Sequence, residues 1–134
     1  MSNNVTIEWD FSEIIKHFEE MGKDLEKSEE AGTKKAAAVI VEALKKNVGR
    51  SDIDEEGYVH MQDDIHVSGL KEDKTDGSKV REIYGGKKTG WKWRFKEYGT
   101  SKGNGNQFMT KSLQETDEEI KKIIDDEIKK QLNL

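Results

Sequence analysis

"WRFKEYGTSKGNGNQFM", residues 93–109, is the stretch on which the reading of this chain turns. An aromatic and basic run ends in Glu97-Tyr98-Gly99-Thr100, a glycine-rich polar loop follows, and Phe108-Met109 opens a helix-like tail. Trp91, Trp93 and Phe95 alternate with Lys92, Arg94 and Lys96, the period of a half-buried strand. Trp91, Phe95 and Tyr98 also fit one face of a helix, at spacings of four and three. The strand is preferred, because aromatic side chains pack well on a pleated surface.

Downstream, "SLQETDEEIKKIIDDEIKKQLNL" (112–134) is amphipathic at the helical period, with Ile120, Ile123/Ile124, Ile128 and Leu132 on one face. Pairs of the Glu127–Lys130 type line the other face, and Thr116 with Glu119 makes a capping box. Upstream, Ile65 and Val67 alternate with His66 and Ser68. The following segment reads as a hairpin around Asp76-Gly77, the dipeptide of type I′ turns, with Val80 and Ile83/Tyr84 on the return strand. Residues 50–64 form an acidic loop or short helical turn.

"KKAAAVIVEALKKNVG" (34–49) is the strongest helix, with Ala36, Ile40, Ala43, Leu44 and Asn47/Val48 on one side. Lys45 and Lys46 favour its C-terminal dipole, and Gly49 suits the position just past its end. Gly32-Thr33 marks a kink in it or a break before it. An earlier helix follows from the Asp10/Glu13 capping box and the face Ile14, Phe18, Met21 and Leu25. The sum is an α+β fold. N-terminal helices and a C-terminal helix pack on a small antiparallel sheet of three or four strands, at about residues 65–71, 79–84 and 91–98.

At 134 residues the chain reads as one domain, 1–134, with no repeat and no flexible linker. Charged residues make up 38% and hydrophobic ones 32%, which supports only a thin core and suits a subunit that gains burial in an assembly. The absence of cysteine excludes disulfides, thiolate metal sites and cysteine nucleophiles. "MSNNVTIEWDF" (1–11) lacks the basic start and apolar segment of a signal peptide, and no run is long enough to span a bilayer, so an intracellular chain without a membrane partner is expected.

"GGKKTG" (85–90) and "GTSKGNG" (99–105) lack the glycine-lysine-Ser/Thr run of a phosphate-binding loop and read as ordinary turns. His60 and His66 are six apart, which is not a ligand spacing, and His17 is distant. Nothing marks a nucleophile or a catalytic carboxylate pair, so no catalytic residue, metal or cofactor is expected. Nucleic-acid binding is the rival reading. Lys79, Arg81, Lys87, Lys88, Lys92, Arg94, Lys96 and Lys102 lie among stacking aromatics. The acidic terminal segments and a net charge of −5 oppose it, since phosphate affinity is largely electrostatic. Opposed acidic and basic segments instead suit head-to-tail contact between copies.

Residues 93–113 resemble the signature of small tail-completion, or head–tail joining, proteins of long-tailed bacteriophages and prophages, the family named after the tenth gene product of phage HK ninety-seven. Its hallmark is an aromatic, Glu, aromatic, Gly, Thr, a polar loop and a Phe opening a helix. Phe95, Glu97, Tyr98, Gly99, Thr100 and Phe108 stand in those places. His60, Asp63, Asp64 and Ile65 match an upstream motif, and the resemblance covers about residues 33–115. Gln107 and Lys111 stand where the family usually carries proline.

The resemblance implies a non-enzymatic virion protein of the neck, assembled in the host cytoplasm. It would form a ring with copies of itself between the head connector and the tail-terminator or tail-tube proteins. The interface expected is Lys92, Arg94, Lys96, Glu97, Tyr98, Gly99, Thr100, Ser101, Lys102, Asn104 and Asn106, facing acids such as Glu19, Glu20 or Asp125 of the next subunit. His60, Asp63, Asp64, Ile65, Trp91, Trp93, Phe95 and Phe108 are expected to support it structurally. No specific nucleic acid is expected.

Overall fold

A computed structural model describes residues 4–9, 26–72, 74–75 and 78–132. The expected helix over residues 10–25, the Asp76-Gly77 turn, His17, Glu19 and Glu20 lie outside the described residues. The fold is α+β. Strand β1 (Asn4–Trp9) precedes helix α1 (Glu26–Val48); strands β2 (Ile65–Val67), β3 (Lys71–Glu72) and β4 (Lys79–Gly85) follow. Next come helix α2 (Trp93–Tyr98), the two-residue strands β5 (Gly99–Thr100) and β6 (Gly103–Asn104), and helix α3 (Phe108–Leu132).

Strand β4 is the centre of the main sheet. It pairs antiparallel with β1 on one edge, from Asn4↔Tyr84 to Trp9↔Lys79. The other edge carries β2 and then β3. Between the pairs Val67↔Ile83 and Lys71↔Val80, Ser68, Gly69 and Leu70 oppose only Arg81 and Glu82, which is a bulge. Ser68 pins it: its amide donates to the Glu82 carbonyl at 2.8 Å, and its hydroxyl accepts the Glu82 N–H at 2.8 Å.

The segment expected as the third strand is instead a helical turn, Gly90–Lys92, running into α2, and the edge strand comes from β1. Helix period decides this because only one of the three aromatics goes inward. Trp93 is fully buried, whereas Trp91 and Phe95 are exposed.

Helix α1 runs unbroken through Gly32-Thr33. Packing explains those residues better than breaking does. A Cβ on Gly32 would come within 3.1 Å of Ile124 Cδ1, so the missing side chain lets α3 approach. The buried Thr33 hydroxyl donates to the Glu29 carbonyl at 2.6 Å and accepts from Arg81 Nη2 at 3.1 Å. Past Val48 the chain turns at Gly49, at φ 71, as expected of a helix-ending glycine. The last carbonyls of α1 are taken up by side chains, Lys45 by Gln62 Nε2 at 2.8 Å and Asn47 by Asn106 Nδ2 at 3.1 Å.

Helices α1 and α3 lie antiparallel, since Ser28 reaches Glu127 at one end and Asn47 reaches Ser112 at the other. The core between helices and sheet is Ala37, Ile40, Leu44, Val48, Ile83, Trp93, Phe108 and Met109. Trp93 and Phe108 meet edge to face, with ring centroids 5.2 Å apart.

Two expectations for the C-terminal helix are corrected. It begins at Phe108, so Thr116 is not a cap; its hydroxyl donates to the Ser112 carbonyl one turn back, at 2.7 Å. Glu127 pairs with Lys35 of α1 rather than with Lys130, while Asp117–Lys121 and Asp125–Lys129 form the i,i+4 pairs at 2.9 Å. Ile124 is half-buried and stands outside the central cluster, which Ile120 joins at its margin.

Candidate functional site

Glu97 organises the surface formed by α2 and the loop after it. Its side chain is 2% exposed and points at the start of α3. There Glu97 Oε1 accepts the Met109 N–H at 2.7 Å and the Thr110 N–H at 3.3 Å, and Oε2 accepts the Thr110 hydroxyl at 2.5 Å. The first amides of a helix have no partner within it, and a carboxylate there also meets the positive end of the dipole. Asn106 completes the cap, with Oδ1 accepting the Phe108 N–H at 3.1 Å. Short α2 is thus fastened to long α3 by its own acid.

The loop then folds back on α2. Gly99 ends the helix at φ 91, and a Cβ there would lie 2.5 Å from the Gly105 nitrogen. Only glycine satisfies both the angle and the close approach. Asn106 N donates to the Lys96 carbonyl at 2.8 Å and Gln107 N to the Glu97 carbonyl at 3.1 Å. Between these ties β5 and β6 make a miniature hairpin, Gly99↔Asn104 and Thr100↔Gly103. The Thr100 hydroxyl accepts the Lys102 N–H at 3.1 Å, a local turn bond. Gln107 takes φ 53, an angle closed to proline.

The expected interface residues therefore divide. Glu97 has no surface to offer a partner, and Asn106 is engaged on both faces of its amide, so these two act by holding the segment in place. Lys92 is half-buried, donating to the Tyr58 hydroxyl at 3.2 Å and lying 4.9 Å from its ring centroid. That hydrogen bond, with help from Ser51, lowers the Tyr58 phenol from its ordinary pKa.

Arg94, Lys96, Tyr98, Thr100, Ser101, Lys102 and Asn104 are exposed, and Gly99 is partly so. With them stand Trp91 and Tyr98, 59% and 60% exposed, and Phe95, with the Arg94 guanidinium 4.7 Å from its ring centroid. Trp91, Phe95 and Tyr98 thus form an outward aromatic face carrying cations. A strand would turn Trp91 and Phe95 inward, so that expectation hides this face. The helical spacing of the three residues was the signal that could have found it.

The upstream motif is tied to the turn that leads into α2. The Asp64 carboxylate accepts from Thr89 Oγ1 at 2.9 Å and meets His66 Nε2 at 2.7 Å. Burial pushes the Asp64 pKa up, but the bonds from His66 and Thr89 outweigh it and leave the pKa lowered. A Cβ on Gly86 would fall 2.2 Å from Asp64 Oδ1, so the Gly85-Gly86 turn exists to let this carboxylate in. Asp63 pairs with Arg50 at 2.8 Å, and His60 Nε2 lies 3.1 Å from the Ile53 carbonyl. Ile65 is partly buried against the core. Tyr58 had no signal in the sequence, since it sits in an acidic loop without periodicity. Among the basic residues, Arg81 is 4% exposed and spent on Thr33, the Ser68 carbonyl at 3.1 Å and Glu30 at 3.2 Å. It is not a surface cation.

Compared with protein families, residues 12–99 match the HK97-gp10-like family, described as "Bacteriophage HK97-gp10, putative tail-component". The chain belongs to this family. The match takes in His60 to Ile65 and Trp91 to Gly99, begins earlier than the resemblance in the sequence suggests, and stops before Thr100 and Phe108. Comparison with curated proteins gave no match, and comparison with solved structures gave none. An HK97-gp10-like chain is thus one of a phage tail-component family, with its aromatic helix at the C-terminal end of the matched region. Among the described residues no helix is long and apolar enough to cross a membrane, and no group of three or more His, Cys, Asp or Glu is placed to hold a metal ion.

Proposed function

We propose that this HK97-gp10-like protein is a non-enzymatic component of the virion neck that joins the head connector to the tail. It is made in the host cytoplasm and enters the particle as a ring of copies, against connector and tail-terminator or tail-tube proteins. Family membership supports the phage tail. One observation favours an assembly role for the α2 segment. Trp91 of the Gly90–Lys92 turn and Phe95 and Tyr98 of α2 face solvent on a segment that Glu97 and Asn106 hold in place. Soluble proteins rarely present such a patch without a partner for it, and tryptophan, tyrosine and arginine dominate the centres of interfaces.

The test removes the gene from an inducible prophage or phage genome. Separate filled heads and complete free tails are expected, with joining restored when the protein is supplied in trans. Joined, infectious particles without the protein would overturn the proposal.

A further inference from the structure

Helices α1 and α3 leave between them a shallow groove of about 540 Å³, away from α2. Ala38, Val39, Ala43 and Thr116 line it, and so do the charged Glu42, Lys46, Glu115 and Glu119. Glu119 makes no ion pair among the described residues, and Glu42 has only a loose one, with Lys45 at 3.8 Å. The third acid, Glu115, is already held by Lys46 at 2.8 Å and Asn47 at 3.2 Å. The groove thus combines small side chains with three acids against one lysine, a net negative lining. The α2 face is the converse, with Trp91, Phe95 and Tyr98 standing out and Arg94 and Lys96 beside them.

We propose that the aromatic face of α2 in one copy seats in the α1–α3 groove of a second copy. This rests on the ring reading above and names the two halves of its contact. The short side chains at 38, 39 and 43 leave room for an aromatic ring, while Glu42 and Glu119 receive Arg94 and Lys96. Asp125 is a poorer acceptor, being paired with Lys129. The two surfaces share no residue, and every copy offers one of each. Passed on from copy to copy, such a contact is heterologous and closes into a ring or runs on as a filament. Exposed ion pairs contribute about 0–1 kcal/mol each, so the free protein associates weakly and the particle supplies the template.

Two variants isolate the halves. Trp91→Ala/Tyr98→Ala removes the inserting face, and Ala38→Arg fills and charges the groove at an exposed helix position where arginine is a good helix former. The wild-type chain at millimolar concentration is expected to sediment as growing oligomers. Each variant alone should remain monomeric with an unchanged circular dichroism spectrum. An equimolar mixture should form a dimer that grows no further, because only one intact pair of surfaces remains. Ala38→Arg associating like the wild type, a mixture that stays monomeric, or a wild-type chain monomeric throughout would overturn the proposal. Any of these would leave the head–tail joining reading standing, since that is decided on particles.

Discussion

Replacing Glu97 with alanine strips three donors of α3 of their acceptor at once, two amides and the Thr110 hydroxyl. Buried donors left unpaired cost about 1–3 kcal/mol, so Glu97→Ala should lower stability by about that much in chemical denaturation, and Glu97→Gln by less. Gln107 should behave in the opposite way. At φ 53 a side chain is strained, and Gln107→Gly is expected to gain about 1 kcal/mol. Asp64 sets an acid limit. Its carboxyl pKa is lowered in the fold, so its contribution is present above the ordinary carboxylate range and fades as pH falls through the lowered value. Asp64→Asn should flatten the acid limb of a stability–pH curve, and an unchanged limb would show that the His66 and Thr89 bonds carry no weight. Phe108 was legible in the sequence as the residue that opens the last helix. The burial of Glu97 was not, because an acid beside surface lysines looks like a solvated one until α3 is in place.

At the scale of elements, α1, β4 and α3 could be read from their periods, down to the buried face of α1 and the glycine that ends it. The failure came at 91–98, where the period was ambiguous. Trp91, Trp93 and Phe95 satisfy a strand, and only the cap at Glu97 and the burial of Trp93 against Phe108 select the helix. Strand β1 has its own signal, since Val5, Ile7 and Trp9 alternate with Thr6 and Glu8, the period-two pattern of a strand. Phe108 joins α2, α3 and the core, so Phe108→Ala is expected to cost about 3–5 kcal/mol by thermal or denaturant unfolding. Half-buried Ile124 should cost nearer 1 kcal/mol when cut to alanine, as for an average substitution. Equal losses at the two positions would mean that the core extends further along α3 than the burial pattern indicates.

For the whole molecule the decisive property is the separation of an aromatic, cationic end from acidic helix surfaces. Folding does not depend on the exposed cations, so Arg94→Glu/Lys96→Glu should melt as the wild type does and yet fail to join heads to tails. The rival use of the same cations, nucleic-acid binding, predicts tight oligonucleotide binding that falls steeply with salt. The withdrawal of Arg81 and the half-burial of Lys92 leave fewer phosphate contacts than the sequence offered, so only weak binding is expected. A reconstruction of the neck in intact particles of the parent phage shows directly where the protein sits. A ring of this fold is expected between connector and tail tube, with Trp91, Phe95 and Tyr98 of each copy buried against a neighbour. Particles that lack the chain, or that carry it away from the neck, would contradict it.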